Sequence, residues 1–165
     1  MTPKVFRPVE LLKQLNDADV RYVIVGALAL GTWGFVRGTD DLDVVPDPTR
    51  DNLERLQRVL ESLDGRVVIG DQVLAASAIA TFLRAGDRTL VRTSLGEIDV
   101  LQGLPQIPRY GDLASSAVDV EIEGVQAKVC SLADLRAMKR ASGRGQDRLD
   151  LEALEIAHPE DSQSE

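Results

Sequence analysis

The sequence predicts one α+β domain built around a single β-sheet. Three observations predict it. The β-branched runs RYVIVG and DLDVVPD stop at glycine or proline. Two pairs of alternating segments, TLVRTS with EIDVLQG and VDVEI with VQAKV, flank short turns. Between and around them lie segments whose apolar residues recur at helical spacing. A chain of 165 residues can bury one real core. No repeat, low-complexity stretch or linker divides it, so residues 1–157 are expected to form one domain and 158–165 a flexible tail.

PVELLKQLNDADV places Val9, Leu11, Leu12 and Leu15 on one helical face. RYVIVG reads as a strand ending at Gly26, and ALALGTWGFVRG as a helix stopped by Gly38. DLDVVPD is a second strand, closed by Pro46 and Pro48. Thr49 then caps a helix through about Leu63, with Leu53, Leu56, Val59, Leu60 and Leu63 inward. VLAASAIATFLRA is expected to be helical, with a strand as the alternative. TLVRTS and EIDVLQG form a hairpin around Leu95 and Gly96, and LPQIPRYGD is a loop. A second hairpin turns at Glu123-Gly124. Ser131 and Asp134 cap a helix that carries Leu132, Leu135 and Met138 inward; GRG breaks it, and QDRLDLEALEIA forms the last helix.

Composition excludes several classes of chemistry. The single histidine, His158, falls in the polar C-terminal segment, which removes histidine zinc sites and Ser-His or Cys-His catalysis. Cys130 is the only cysteine, so no internal disulfide forms, and a reducing, cytoplasmic location is expected. No apolar run approaches the ~20 residues of a membrane span, and the N-terminus lacks the apolar region of a signal peptide. A formal charge of −8 argues against broad nucleic-acid binding. One segment runs against it: from Arg136 to Arg148 five basic residues face one acid, Asp147, a local charge of 5 − 1 = +4. It reads as an anion site or as a solvated helix face.

Chemistry therefore rests on carboxylates, Lys, Arg and backbone. Asp41 and Asp43 open the strand DLDVV. Residues two apart on a strand share a face, with Cα atoms roughly 7 Å apart. Like charges held that close in a core strand need a cation; the alternative is a solvated strand end. Asp17 and Asp19 have the same spacing but sit in a helix-to-strand turn and read as turn residues. Asp40 points to the other face and reads as solvated. Asp99 lies inside EIDVL, and if that strand lies beside DLDVV, three carboxylates converge. Glu97 shares the face of Asp99 but sits at the hairpin turn. Three acids without His or Cys suit Mg²⁺ or Mn²⁺. Gly26 and Ala27 turn from strand to helix, where backbone N–H groups can meet an anion, although an ordinary strand-end glycine has the same signature. Lys139 and Arg144 supply charge suited to a triphosphate.

These residues resemble the nucleotidyltransferase superfamily that includes DNA polymerase β. Its pattern is a Gly-Gly or Gly-Ser turn, a helix, a D-x-D strand and a third Asp on a neighbouring strand, matched by Gly26-Ala27, Asp41-Leu42-Asp43 and Asp99. Residues Arg37 to Asp43, Leu135 to Lys139, Gly143-Arg144 and Asp147 to Asp150 are similar to segments of small bacterial, AbiEii-type toxin nucleotidyltransferases. The resemblance spans about residues 8–157. Ala27 departs from it, since the pattern has glycine or serine there.

The resemblance implies a nucleotidyltransferase fold: a small mixed β-sheet with helices packed mainly on one face. It implies a magnesium-dependent enzyme moving a nucleotide from an NTP to a hydroxyl of RNA, such as tRNA, of a protein or of a small molecule. Asp41, Asp43 and Asp99 would be both catalytic and metal-binding, holding two Mg²⁺ or Mn²⁺ ions, with Asp99 also accepting the hydroxyl proton. Gly26, Ala27, Lys139 and Arg144 would bind the nucleotide. Arg37 and Thr39 would support the acid strand. Asp147 would position Lys139 or Arg144, or only cap the last helix. A toxin role would bring a cognate antitoxin as partner. The alternatives are an antibiotic-type small-molecule nucleotidyltransferase and a non-catalytic or antitoxin-like module on the same fold.

Overall fold

The computed structural model describes residues 4–160. Its elements, in chain order, are α1 (Pro8–Asp17), β1 (Tyr22–Val25), α2 (Gly26–Thr32), β2 (Asp41–Pro46), α3 (Arg50–Ser62), β3 (Arg66–Ile69), β4 (Gln72–Val73), α4 (Ala78–Ala85), β5 (Thr89–Thr93), β6 (Gly96–Val100), α5 (Tyr110–Ser116), β7 (Val118–Ile122), β8 (Val125–Val129), α6 (Leu132–Ser142) and α7 (Gly145–Ala157). The strands form one mixed sheet in the order β4-β3-β5-β6-β2-β1-β8-β7. The α+β class with a mixed sheet is the one the sequence predicts.

The centre of the sheet sets everything near it. β2 runs antiparallel to β1, with Val25 opposite Asp43, and parallel to β6, with Asp43 opposite Asp99. Alternation does the sorting: Leu42 and Val44 of β2 are buried, while Asp41 and Asp43 point the other way and are half-buried. Ile98 and Val100 of β6 and Ile24 of β1 join the same core. Helix α1 adds Leu11, Leu12 and Leu15, each essentially inaccessible, and α3 adds Leu56 and Leu60. Apolar burial of this kind stabilises by about 25 cal/mol per Å². Contacts join α1 to α3 and α3 to α4, and separately α2 to α6 and α6 to α7.

Several local expectations change. The segment VLAASAIATFLRA is not one helix. Gln72–Val73 pairs with β3 after a tight turn in which Gly70 takes a positive φ of 57°, and the helix is confined to Ala78–Ala85. This small edge hairpin is too short and too exposed to show alternation. Helix α2 stops at Thr32 rather than Gly38, because Gly34 turns the chain with φ 100°. Gly96 is the first residue of β6, opposite Thr93, so the turn is Ser94-Leu95. After the proline-bearing loop, Tyr110 opens α5, anchored by buried Leu113. Thr49 occupies the cap position of α3 but makes no side-chain cap bond; Asp47 Oδ1 accepts its N–H instead, at 3.0 Å. Ser131 does cap α6, accepting from the Asp134 N–H at 3.1 Å.

His158 is not in a free tail. Its Nε2 lies 2.7 Å from the Trp33 carbonyl, its ring meets the Trp33 indole edge-on, and Arg136 donates to its carbonyl. The rest of the expected tail from residue 161 lies outside the described residues. Among the described residues no helix is long and apolar enough to cross a membrane.

One buried polar side chain braces the entrances of β1 and α3. Asn52, fully buried, accepts from the Arg21 N–H at 2.7 Å and donates to the carbonyls of Arg21 and Asp47 at 2.9 and 2.8 Å. Asn52→Ala is expected to lower the unfolding free energy by about 2–4 kcal/mol in urea titrations, because it orphans several buried backbone groups at once. A loss below about 0.5 kcal/mol, the size of an ordinary surface change, would contradict that bracing role.

Candidate active site

Register assembles the acidic centre. Asp41 and Asp43 come from one face of β2, and Asp99 is the direct partner of Asp43 on β6. One carboxylate oxygen from each of the three lies within 4.8 Å of the others. Asp99 is 4% exposed, so it has little water to turn to. Burial pushes the Asp43 carboxyl up to about 7, with the charges of Asp41 and Asp99 adding to the rise and Lys139 and Arg88 opposing it. Burial raises Asp41 as well; the Thr39 hydroxyl opposes this by donating to its Oδ1 at 3.1 Å.

Gly26 makes room for this cluster. It follows β1 with φ 72°, and a Cβ placed there would meet Asp43 Oδ2 at 2.0 Å. Both the backbone and the space require glycine. Helix α2 starts at Gly26 without a side-chain cap, and Gly26 and Ala27 line a cleft of about 670 Å³ with the three acids. Leu101, Leu104, Ile107, Leu135 and Met138 form an apolar wall of the same cleft.

The basic residues are arranged differently from expectation. Lys139 is buried, and its Nζ sits 3.2 Å from Asp147 Oδ1 and 2.9 Å from Asp150 Oδ2. It borders the cleft, but its charge is spent on two buried carboxylates. Asp150 also accepts from Arg37 Nη2 at 3.3 Å and Gln146 Nε2 at 2.9 Å. Arg37 therefore ties the segment before the acid strand to α7. Asp147 pairs with Lys139, and its Oδ2 accepts from the Arg144 N–H and Nε at 3.2 and 3.1 Å. Burial opposes ionisation of Asp147, yet hydrogen bonds from Ser142, Arg144 and Lys139 outweigh it and hold its carboxyl at about 2. Asp150 is lowered in the same way, Lys139 and Gln146 overcoming its burial. Arg144 is mostly exposed and borders the cleft.

The +4 segment is consequently divided: half-buried Arg136 and buried Lys139 lie against acids, while Arg140, Arg144 and Arg148 are exposed. Arg136 pairs with Glu155 and Glu160, Arg140 with Glu160, and Lys139 and Arg144 with the last helix.

Arg88 is the site residue that sequence reasoning missed. It directs a two-pronged ion pair at Asp99, with Nε 3.0 Å from Oδ1 and Nη2 2.7 Å from Oδ2. The hairpin register held the signal. Leu90 faces Asp99 across β5 and β6, and residues two apart share a face, so Arg88 is the diagonal neighbour of Asp99. Glu97, the competing acid, pairs with Arg92 at 3.3 Å and stands outside the cluster of three.

A family described as a nucleotidyltransferase of unknown function (DUF6036) matches residues 3–162. The chain belongs to that nucleotidyltransferase family. No curated protein matches it. Among solved structures this family member is similar to a protein from Thermotoga maritima described as a candidate nucleotidyltransferase, with 15% identity and a TM-score of 0.57 over 91% of this chain and 94% of that one. It is also similar to an antigenic nucleotidyltransferase-like protein from Paracoccidioides brasiliensis, at 20% identity and TM-score 0.59 over 88% and 72% of the two chains. A third is the lincosamide antibiotic adenylyltransferase LnuA, bound to lincomycin, at 13% identity and TM-score 0.59 over 94% and 99%. At these identities the likeness establishes the nucleotidyltransferase fold.

The DUF6036 member should show its charge crowding in its pH response. A carboxyl raised from 3.8 to about 7 on folding stabilises the protonated fold: the contribution is fully present below pH 3.8 and is lost as pH rises through 7. In metal-free buffer Asp43→Asn is therefore expected to exceed wild type in unfolding free energy by about 2–4 kcal/mol at pH 8, with the gap shrinking toward pH 5. A gap independent of pH would contradict the crowding. Lys139 should behave in the opposite sense. Lys139→Met leaves Asp147 and Asp150 without their shared cation and is expected to cost about 3–5 kcal/mol at neutral pH. Urea unfolding within about 0.5 kcal/mol of wild type would show that Lys139 is not the keystone of that network.

Proposed function

We propose that this protein is a metal-dependent nucleotidyltransferase that moves a nucleoside monophosphate from an NTP to a hydroxyl acceptor. The observation that carries it is the convergence of Asp41, Asp43 and Asp99, within 4.8 Å, on a cleft floored by the Gly26 turn. The donor set fits a divalent cation: three oxygen ligands, no His or Cys within the cluster, and a carboxyl at about 7 that strains against its neighbours. Bound by these three residues, Mg²⁺ or Mn²⁺ would neutralise phosphate charge and favour the ionised acceptor hydroxyl.

The chain's own groups do the rest. Gly26 and Ala27 offer backbone N–H groups to the phosphates at the start of α2. Arg144, exposed at the rim, pairs with phosphate or acceptor. Asp99 would also take the hydroxyl proton. Lys139 acts at one remove: it orders Asp147 and Asp150 and lends its field to Asp43. The apolar wall receives the base or an apolar part of the acceptor.

The acceptor we favour is a hydroxyl on a protein or small molecule. The formal charge of −8 and the pairing of half-buried Arg136 and buried Lys139 with acids disfavour a long RNA. A toxin role with a cognate antitoxin rests on the resemblance of the Arg37–Asp43 and Leu135–Asp150 segments.

The test incubates the protein with each α-labelled NTP, Mg²⁺ or Mn²⁺, and separately with RNA, protein and small-molecule fractions of a lysate. Label is expected in the protein or small-molecule fraction, dependent on metal, and reduced at least about 10³-fold in Asp41→Asn and Asp43→Asn, the scale of lost charge stabilisation. Transfer that survives Asp43→Asn would sink the metal assignment, and label confined to RNA would overturn the acceptor choice. Absence of transfer with all four NTPs favours the non-catalytic module.

A further inference from the structure

Arg88 has no place in the reaction just described, yet it holds both oxygens of one of the three acids. Its Nε also lies 3.2 Å from Asp99 Oδ2, so the guanidinium spans the whole carboxylate edge. Asp99 itself is buried, while the Arg88 side chain is about half exposed (55%) and borders the cleft. The acid is fixed and the base is free to leave.

Two cations thus claim one carboxylate. The oxygens that a divalent ion would take from Asp99 are those the guanidinium occupies, and an ion beside a guanidinium meets its repulsion. Arg88 also sits in the field of Asp41 and Asp43, so it partly neutralises the whole cluster when nothing else does. A triphosphate changes the balance. Its phosphates offer the planar Arg88 guanidinium two oxygens for a doubly hydrogen-bonded ion pair like the one it gives up.

We propose, resting on the nucleotidyltransferase reading, that Arg88 couples metal loading to nucleotide. It caps Asp99 while the cleft holds no triphosphate, swings to the phosphates when one arrives, and thereby frees the third carboxylate for the cation. Nucleotide and metal then strengthen each other's binding by the same factor, because both depend on the same displacement. The free protein keeps a partly neutralised acidic centre and weak metal affinity. Only the nucleotide-bound protein carries the full ligand set.

The deciding experiment titrates Mn²⁺ alone, without nucleotide, into wild type, Arg88→Gln and Arg88→Lys, by calorimetry or electron paramagnetic resonance. Arg88→Gln is expected to bind Mn²⁺ about 10-fold or more tightly than wild type, within the usual range of coupling between sites. Arg88→Lys, which keeps the charge but not the fork, falls between them. In the Asp99→Asn background the Arg88→Gln gain disappears. Thermal unfolding gives a second readout in its metal dependence, which a merely structural arginine would not move. Without metal Arg88→Gln melts below wild type, because Asp99 is left unpaired, and Mn²⁺ raises its melting temperature more than that of wild type. In steady state its KM for NTP rises even though its metal binding improves. Equal or weaker Mn²⁺ binding by Arg88→Gln overturns the proposal. If wild type given Mn²⁺ and labelled NTP still transfers label to an acceptor, the nucleotidyltransferase reading stands and only the Arg88 role falls. If neither protein binds Mn²⁺ and no transfer occurs, both fall together.

Discussion

Mutual repulsion among Asp41, Asp43 and Asp99 is the condition around which the rest of this molecule is arranged. Strand pairing forces it. Once β2 lies parallel to β6 in the observed register, Asp43 and Asp99 are neighbours, and the pleat puts Asp41 on the same face. A one-residue slip of β2 would relieve the charges but turn Leu42 and Val44 out of the core. The apolar face of the sheet thus holds the acidic face in a conformation it would not choose. Around it the chain distributes partial remedies: the Thr39 hydroxyl on Asp41, the Arg88 fork on Asp99 and the nearby charge of Lys139. The glycine at position 26 leaves Asp43 the space it needs.

The second charged system is built on the opposite logic. Between α6 and α7 every buried acid has a designated base, and both Asp147 and Asp150 are held ionised. This network fixes the two helices against each other and, through Arg37, fixes the segment that leads into the acid strand. A satisfied network beside a frustrated one gives the cleft a charge-balanced wall and a charge-crowded floor. The contrast explains why Lys139 belongs to the wall although it borders the cleft.

Much of this was legible in the residues. The strands β1, β2, β5, β6, β7 and β8 announced themselves by β-branched runs or alternation, and the meeting of Asp41, Asp43 and Asp99 followed from reading DLDVV and EIDVL as neighbours. The β3–β4 hairpin was hidden because four and two residues at a half-exposed edge carry no periodicity. Lys139 was assigned to phosphate because an isolated Lys-bearing helix shows its charge and not its partners. Asp147 and Asp150, three apart on α7 and so on one face, were the clue that it would be matched internally. Arg88 was hidden by the turn: counted outward from Leu95-Gly96, Arg92 falls opposite Asp99, and only the observed Ser94-Leu95 turn brings Leu90 opposite it and Arg88 beside it. His158 looked like tail because nothing in its own neighbourhood shows that Trp33 receives it.

The link between Arg37 and Asp150 joins residues 113 apart in the chain. The acid strand is complete by Pro46, but the wall that encloses it is supplied by helices that begin at Leu132 and Gly145. During synthesis, at ~5–20 residues per second, a nascent chain carries its crowded carboxylates for many seconds before their enclosure exists. The order of emergence therefore separates having the acidic residues from having the cleft around them.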